Sequence, residues 1–262
     1  MIELETRIIF NKKVARGTHL MGIRSEELAA QAAPGQFVMI KVSPTIDPLL
    51  RRPFSICAVR SDDLILILYR VVGKGTRILS DIREGDSIQL LGPLGKGFEI
   101  PENKIETILV AGGIGLAPLI FLSRTMGEEA GILLIGYRSS NELVLLEEVG
   151  IAGKDVRIST DDGTAGHHGF VTDLLERYMD LPDVDPSAIF ACGPIPMLKK
   201  VASMAGEKNI PCHVSLEAVM ACGIGACQGC AVKAGSREKS PYFHVCKDGP
   251  VFDARGLDWD QL

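Results

Sequence analysis

The sequence predicts an α/β protein preceded by an all-β unit: an N-terminal antiparallel barrel of six strands, a doubly wound parallel sheet, and a small C-terminal segment. Three observations carry this. Up to about residue 100, short β-rich runs are separated by turn formers. From about residue 104, apolar runs alternate with stretches of helical length. After Glu217 both rhythms stop, and four of the seven cysteines fall in the remaining 45 residues or so. At roughly 100–200 residues per domain, 262 residues accommodate two domains and a small third. The expected units are 1–101, 102–216 and 217–262.

In the first unit, ETRIIF, THLMGI, GQFVMIKV, FSICAVR, LILILYRVV and DSIQLLGPLG are the strand candidates, with PGQ, SDD and REGD as turns. No helical period lasts ten residues there. Short strands at this spacing close most simply into an antiparallel barrel. In the second unit the strands TILVAGG, GILLIGYR, VRISTDDG, AIFACGP and HVSLE alternate with LAPLIFLSRTM, NELVLLEEV, FVTDLLERYM and PMLKKVASMAGEK. Val171, Leu174, Leu175 and Tyr178 keep helical spacing. Such alternation implies right-handed crossovers and a parallel sheet covered on both faces. The last unit is too small to hold itself by burial, so it calls for a metal or disulfide staple.

Lys and Arg number 28 against 33 Asp and Glu, a net charge of −5, which lacks the basic footprint of a nucleic-acid binder. No run of about 18 apolar residues is present. The opening MIELETRIIFNKKVARG does not resemble a signal peptide, so a cytoplasmic protein with reduced thiols is expected.

The C-terminal cysteines are Cys222, Cys227 and Cys230, spaced C-x4-C-x2-C, and Cys246 after fifteen intervening residues. This is plant-type [2Fe–2S] spacing, with Gly223, Gly225 and Gly229 permitting close backbone approach to sulfur. A four-cysteine zinc site and inert or disulfide-bonded thiols stand as alternatives, although zinc ribbons usually show two C-x2-C pairs. His244 reads as solvated or structural, since a Rieske pattern of two histidines and two cysteines is absent.

Three glycine-bearing loops end strands of the predicted sheet. AGGIGLAP places Gly112, Gly113 and Gly115 before a helix, with Pro118 in its first turn. TDDG carries Asp161 and Asp162; CGP carries Cys192, Gly193 and Pro194. No loop matches G-x-G-x-x-G, and a plain strand-to-helix turn accounts for any one of them. Together they mark the edge at which open α/β sheets bind nucleotides. Arg138, Ser139 and Ser140, after the second strand, would accept a 2′-phosphate. Cys57, Cys192 and Cys212 read as core thiols, and His167 and His168 as loop residues. In the barrel, LLRRPFSI puts Arg51 and Arg52 on opposite faces if extended, and LYRVVGKGT adds an aromatic, an arginine and a glycine turn before Thr76.

R-P-F-S, GGIG…P and CGP together resemble the ferredoxin–NAD(P)H reductase superfamily. With MACGIGAC and VCKDGPVF, the chain resembles, over its whole length, the electron-transfer subunits of dihydroorotate dehydrogenase B. Related alpha subunits of NADH-dependent ferredoxin:NADP oxidoreductases and gamma subunits of sulfhydrogenases share much of the pattern. The resemblance implies FAD: Arg52, Pro53, Phe54 and Ser55 form its motif, with Arg52 at the phosphates or ribityl chain and Ser55 at the isoalloxazine edge. Leu68, Tyr69 and Arg70 match the second flavin-contact strand; Gly75 and Thr76 match the pyrophosphate turn. NAD is implied at Gly112, Gly113, Gly115, Pro118, Asp161 and Cys192–Pro194, and the cluster at the four C-terminal cysteines.

The resemblance also implies an FMN-containing catalytic subunit that oxidises dihydroorotate, in a heterotetramer, with electrons passing through the cluster to FAD and then NAD⁺. A flavin is suited to that place because it exchanges both electron pairs and single electrons. Glu217, at the crossing to the cysteine segment, is a candidate hydrogen-bond partner of the flavin or the cluster loop. Two rivals are a reductase subunit serving ferredoxin or a hydrogenase, and a zinc-stabilised nucleotide-binding regulator.

Overall fold

The computed structural model describes residues 1–100, 106–127, 130–151 and 155–262. The expected boundary at 101/102 lies outside the described residues.

The barrel strands are β1 (Ile2–Ala15), β2 (Thr18–Arg24), β3 (Phe37–Lys41), β4 (Arg52–Arg60), β5 (Leu64–Arg70) and β6 (Ser87–Leu94). They close in the order β1-β2-β5-β4-β3-β6, every pairing antiparallel. Strand β5 shows why its sequence is apolar throughout. Ile65, Ile67 and Tyr69 face the barrel interior with Ile23, Ile40 and Ile56. Leu66 and Leu68 face the other way, against Leu116, Leu119 and Ile120. Successive strand residues point to opposite faces, and here both faces are covered. Burying each of those two leucines contributes about 2 kcal/mol.

Two short helices interrupt the barrel, where the sequence shows no helical period of ten residues: α1 (Glu26–Gln31) and α2 (Lys74–Asp81). Their six and eight residues are too few for a periodic signal. The local signal for α1 is its cap: the Leu28 N–H donates to Ser25 Oγ at 3.2 Å.

The second unit contains β7 (Thr107–Gly112), α3 (Leu116–Met126), β8 (Ile132–Tyr137), α4 (Leu146–Val149), β9 (Asp155–Thr160), β10 (His167–His168), α5 (Val171–Met179), β11 (Ala188–Cys192), α6 (Ile195–Glu207) and β12 (Cys212–Ser215). The parallel order β9-β8-β7-β11-β12 reverses between β7 and β11, the topological switch of a doubly wound sheet. In β7, Ile108 and Val110 pack toward α5 and α6, while Leu109 and Ala111 pack toward α3.

Three details depart from the sequence-based expectation. His167 and His168 pair with Ser159 and Thr160 as a two-residue strand rather than lying in loop. Of NELVLLEEV, only Leu146–Val149 is α-helical. The sheet gains an antiparallel edge from the C-terminal segment, β15 (Val251–Asp253), which pairs with β12. That strand covers an otherwise open edge. Between the third and fourth cysteines lies a small hairpin, β13 (Ala231–Lys233) with β14 (Tyr242–His244). Cys57 and Cys212 are buried in the core, as expected. No helix among the described residues is long and apolar enough to cross a membrane.

Candidate redox site

Three groups of residues meet around the barrel. The first is the C-terminal edge of the parallel sheet. A cavity of about 780 Å³ opens at the C-terminal ends of β7, β8, β9 and β11. It gathers Gly112, Gly113, Asp161, Gly193 and Pro194 from the three glycine loops, with Arg138 at the end of β8. Gly113 holds φ +55, and a Cβ there would meet nothing within 4 Å, so its backbone faces open space. A Cβ on Gly112 would come within 2.7 Å of Pro194 and Met197, which brings the β7 and β11 loops into direct contact.

Gly115 does something else. It is buried, and its Cβ would lie 2.2 Å from the Cys192 carbonyl oxygen. Close helix-to-strand packing therefore requires a glycine at this position. Pro118 is also buried, in the first turn of α3. Cys192 is a core thiol: desolvation, then the charge of Glu217, push it up to about 12 against the Ser215 hydroxyl.

Asp162 builds the TDDG turn, accepting from the Thr164 hydroxyl at 2.6 Å and its N–H at 3.0 Å, which holds its carboxyl below the usual range. The same Thr164 hydroxyl accepts the Ser140 N–H at 2.8 Å, so the turn is fastened to the segment after β8. Sequence reasoning missed Glu142, Phe170 and Lys200 on the cavity wall. Phe170 is 65% exposed at the N-terminus of α5, where no periodicity distinguishes it from a core residue.

The second group is on β4, β5 and α2. Arg52, Pro53, Phe54 and Ser55 are all partly exposed. The Arg52 guanidinium lies over the first turn of α2, where a Cβ on Gly75 would stand 3.2 Å from its Nε. The Thr76 hydroxyl accepts the N–H groups of Val72 at 2.9 Å and Gly73 at 3.1 Å, so it shapes the turn. Leu68 and Tyr69 are buried: the tyrosine hydroxyl donates to Asn11 Oδ1 at 2.9 Å and its ring meets Phe54 edge-on. Desolvation pushes that phenol up to about 12. Arg70, at the end of β5, reaches the 780 Å³ cavity of the first group. Arg51 turns the other way, to Glu3.

The third group is the cysteine loop. Cys230 and Cys246 are buried with their sulfurs 3.2 Å apart, Cys222 is half-buried and Cys227 exposed. Backbone amides point at sulfur throughout: Ile224 and Cys227 to Cys222 at 3.5 and 3.4 Å, Gly225 to Cys246 at 3.1 Å, Gly229 to Cys227 at 3.5 Å. Left-handed backbone at Gly223 and Gly225 makes this possible. At Cys222 desolvation raises the thiol, but the amides of Cys227 and Ile224 outweigh it and bring it to about 6. Such donors fit a group of four thiolates carrying net negative charge.

The loop rests on the barrel. A Cβ on Gly223 would fall 2.6 Å from Met39 Cγ. Met39 is paired across the sheet with Pro53 of the R-P-F-S run. Strands lie about 4.8 Å apart, so the cysteine loop sits about one strand from the flavin-type motif. Glu217 stands at the cavity wall, reached by solvent through the mouth yet crowded enough that desolvation holds its carboxyl above the usual range.

Comparison with known proteins identifies relatives of the chain. A family model for the iron–sulfur cluster binding domain of dihydroorotate dehydrogenase B matches residues 217–258. The chain is 38% identical over 262 residues to the dihydroorotate dehydrogenase B (NAD(+)) electron transfer subunit of Desulforamulus reducens, covering 98% of each chain. It is 40% identical over 261 residues to that of Listeria monocytogenes, covering 97% of this chain and 98% of the other. Among solved structures, a chain of the NADH-dependent reduced ferredoxin-NADP oxidoreductase superposes with a TM-score of 0.86 at 30% identity, covering 98% of this chain and 91% of its own.

Proposed function

Because the chain belongs to the family of dihydroorotate dehydrogenase B (NAD(+)) electron transfer subunits, we propose that it carries electrons from an FMN-containing subunit that oxidises dihydroorotate to NAD⁺. Its own groups are a [2Fe–2S] cluster and FAD, in a heterotetramer with two copies of each subunit. When bound, the flavin exchanges hydride with the nicotinamide and single electrons with the cluster.

This chain's residues supply the sites. Cys222, Cys227, Cys230 and Cys246 hold the irons, while the amides of Gly225 and Gly229 offset negative charge on sulfur. Arg52 and the first turn of α2, with Gly75 and Thr76, hold the FAD phosphates. Pro53, Phe54, Ser55 and the Leu68–Arg70 strand hold the flavin ring and its flanks. Gly112 and Gly113, with Gly193 and Pro194, admit the dinucleotide backbone, and Asp161 lies at its ribose edge. Gly115, Pro118 and Cys192 support those loops from beneath. The division at 1–101, 102–216 and 217–262 belongs to the same proposal, with β15 returning from the third unit to the second unit's sheet.

The observation that carries this reading is the contact of the cysteine loop with Met39, cross-strand from Pro53, while Arg70 of the same barrel reaches the nucleotide cavity. These contacts support a cluster, flavin and nicotinamide lying next to one another in the order electron transfer requires. The test is anaerobic co-expression with the partner. A brown-yellow complex with two irons and two acid-labile sulfides per chain, reducing NAD⁺ on addition of dihydroorotate, is expected. A colourless zinc protein would refute it. The likeness to the ferredoxin-NADP oxidoreductase chain keeps a second reading in view, a reductase subunit serving ferredoxin. Failure of dihydroorotate, with rapid NADH-driven ferredoxin reduction, would select that reading.

Glu217 makes the nicotinamide site pH-sensitive. Its carboxyl ionises above the usual carboxylate range, so raising the pH through that titration places a negative charge beside an anionic ligand. The KM for NADH is expected to climb over that interval and to stay level in Glu217→Gln. Equal pH profiles for the two proteins would remove the carboxyl from the ligand's surroundings.

A further inference from the structure

The donors that face the four cysteines are backbone amides, and one cationic side chain lies against them. Lys247 follows Cys246, and its stem crosses Gly225. A Cβ on that glycine would stand 2.9 Å from Lys247 Cδ, 3.2 Å from its Cβ and 3.4 Å from its Cγ. Gly225, left-handed at φ +79, is the residue whose N–H donates to Cys246 Sγ at 3.1 Å. The lysine stem therefore covers the peptide that serves the fourth cysteine, and residue 225 has no room for a side chain beneath it.

The backbone that carries this lysine is fixed. The Lys247 and Asp248 N–H groups both donate to the His244 carbonyl, at 2.9 and 2.8 Å. The ammonium is free. Lys12, Lys74, Lys199 and Lys208 each pair with a carboxylate. Lys247 is exposed, and among the described residues its ammonium has no hydrogen-bond or ion-pair partner. The adjacent carboxylate does not neutralise it. Asp248 turns into the loop, where it accepts the His244 N–H at 2.7 Å and stands 3.6 Å from His244 Nδ1. A long side chain that lays its methylenes on a glycine and leaves its charge in water keeps that charge near the loop.

We propose that Lys247 tunes the cluster: its unpaired charge, held over Gly225, raises the reduction potential of the group that the four cysteines bind. The proposal deepens the reading of those cysteines as [2Fe–2S] ligands and rests on it. Taking up an electron adds negative charge to a group whose potential depends on net charge, hydrogen bonds to sulfur and exposure. The amides of Ile224, Gly225, Cys227 and Gly229 answer with partial charges, and Lys247 adds a whole one. A positive group favours the form that holds the extra electron, so its removal lowers the potential. A relay passes electrons on only while its potential stays close to those of its neighbours, since an uphill hop costs free energy in proportion to the gap. Exposure means that salt screens the effect.

The experiment is a redox titration of the intact, cofactor-loaded complex, with the cluster followed by its visible and EPR spectra. Lys247→Met keeps a stem on Gly225 and removes the charge. It is expected to lower the equilibrium constant for cluster reduction about 3–10-fold, equivalent to roughly 30–60 mV for one electron. Lys247→Glu shifts it further in the same direction, and Lys247→Arg restores it to within about twofold of the native protein. Raising the ionic strength from about 0.05 to about 0.5 M narrows the spread. Lys13→Met, on β1 of the barrel, leaves the cluster where it was, and the flavin titrates alike in every variant. Equal cluster potentials in the native, Lys247→Met and Lys247→Glu proteins would overturn the proposal. So would equal displacement of Lys247→Met and Lys247→Arg, which would make the effect one of shape. Loss of iron from Lys247→Met with retention in Lys247→Arg would reassign the lysine to holding the loop. A native complex without iron and acid-labile sulfide would instead sink the cluster reading itself.

Discussion

Cys227→Ser is expected to abolish dihydroorotate-dependent NAD⁺ reduction while leaving NADH oxidation by an artificial acceptor nearly intact. Cys227 is the exposed member of the four, and its own Sγ accepts one amide, from Gly229. Serine there keeps the loop's shape and offers little strain, so the change tests ligation rather than folding. Losing an outer-shell partner of a metal site typically costs 10–100-fold, so loss of a ligand itself should cost roughly 100-fold or more. The barrel and the nucleotide cavity are built from other residues, which is why the flavin-level reaction survives. Iron and acid-labile sulfide, measured with the visible spectrum, provide the check. A Cys227→Ser protein with full iron, full sulfide and normal transfer would remove that cysteine from the ligand set.

The second large effect separates two glycines that look alike in AGGIGLAP. Gly115→Ala should destabilise the nucleotide unit by about 3 kcal/mol, because the new methyl would sit 2.2 Å from the Cys192 carbonyl oxygen and 2.7 Å from the Gly193 nitrogen. Backbone cannot rotate away as a side chain can. The residue's own φ of −59 suits alanine, so the cost is steric, not conformational. At 2–4 °C per kcal/mol for a domain of this size class, the thermal midpoint should fall roughly 6–12 °C. Gly113→Ala contrasts with it. Its methyl meets open space, so stability falls by about 1 kcal/mol for the left-handed backbone alone. The methyl does enter the space the dinucleotide would occupy, and KM for NADH should rise. Calorimetry and NADH kinetics on the two variants distinguish them; equal thermal midpoints would contradict the packing account.

Much of this was legible without coordinates. The cysteine spacing, the two strand rhythms and the glycine loops are local patterns, and local patterns survive in sequence. Misreadings came where length or distance defeats such patterns. Helix α1 is too short for periodicity, and its mark is a serine cap. Strand β15 comprises three residues in a segment dominated by cysteine spacing, and its partner β12 lies some 40 residues upstream. Tyr69 and Arg70 are adjacent in one motif, yet strand alternation sends the first into the barrel and the second to the cavity. Glu142 and Lys200 carry no sequence signal for the site, because a surface-type charge acquires meaning only from what faces it.

By itself, then, the sequence determined the kinds of unit and their order: barrel, doubly wound sheet, four-cysteine segment. Hydrophobic period and covalent spacing act over a few residues, so each unit declares its own type. Only the tertiary structure decided how the units meet: the cysteine loop on Met39, the Arg70–Glu142 pair across the boundary, the close approach of Gly115 to the Cys192 carbonyl that leaves no room for a methyl. Those contacts join residues about 70 to 185 positions apart, and burial and charge pairing at that range are properties of the folded packing, which no stretch of chain contains.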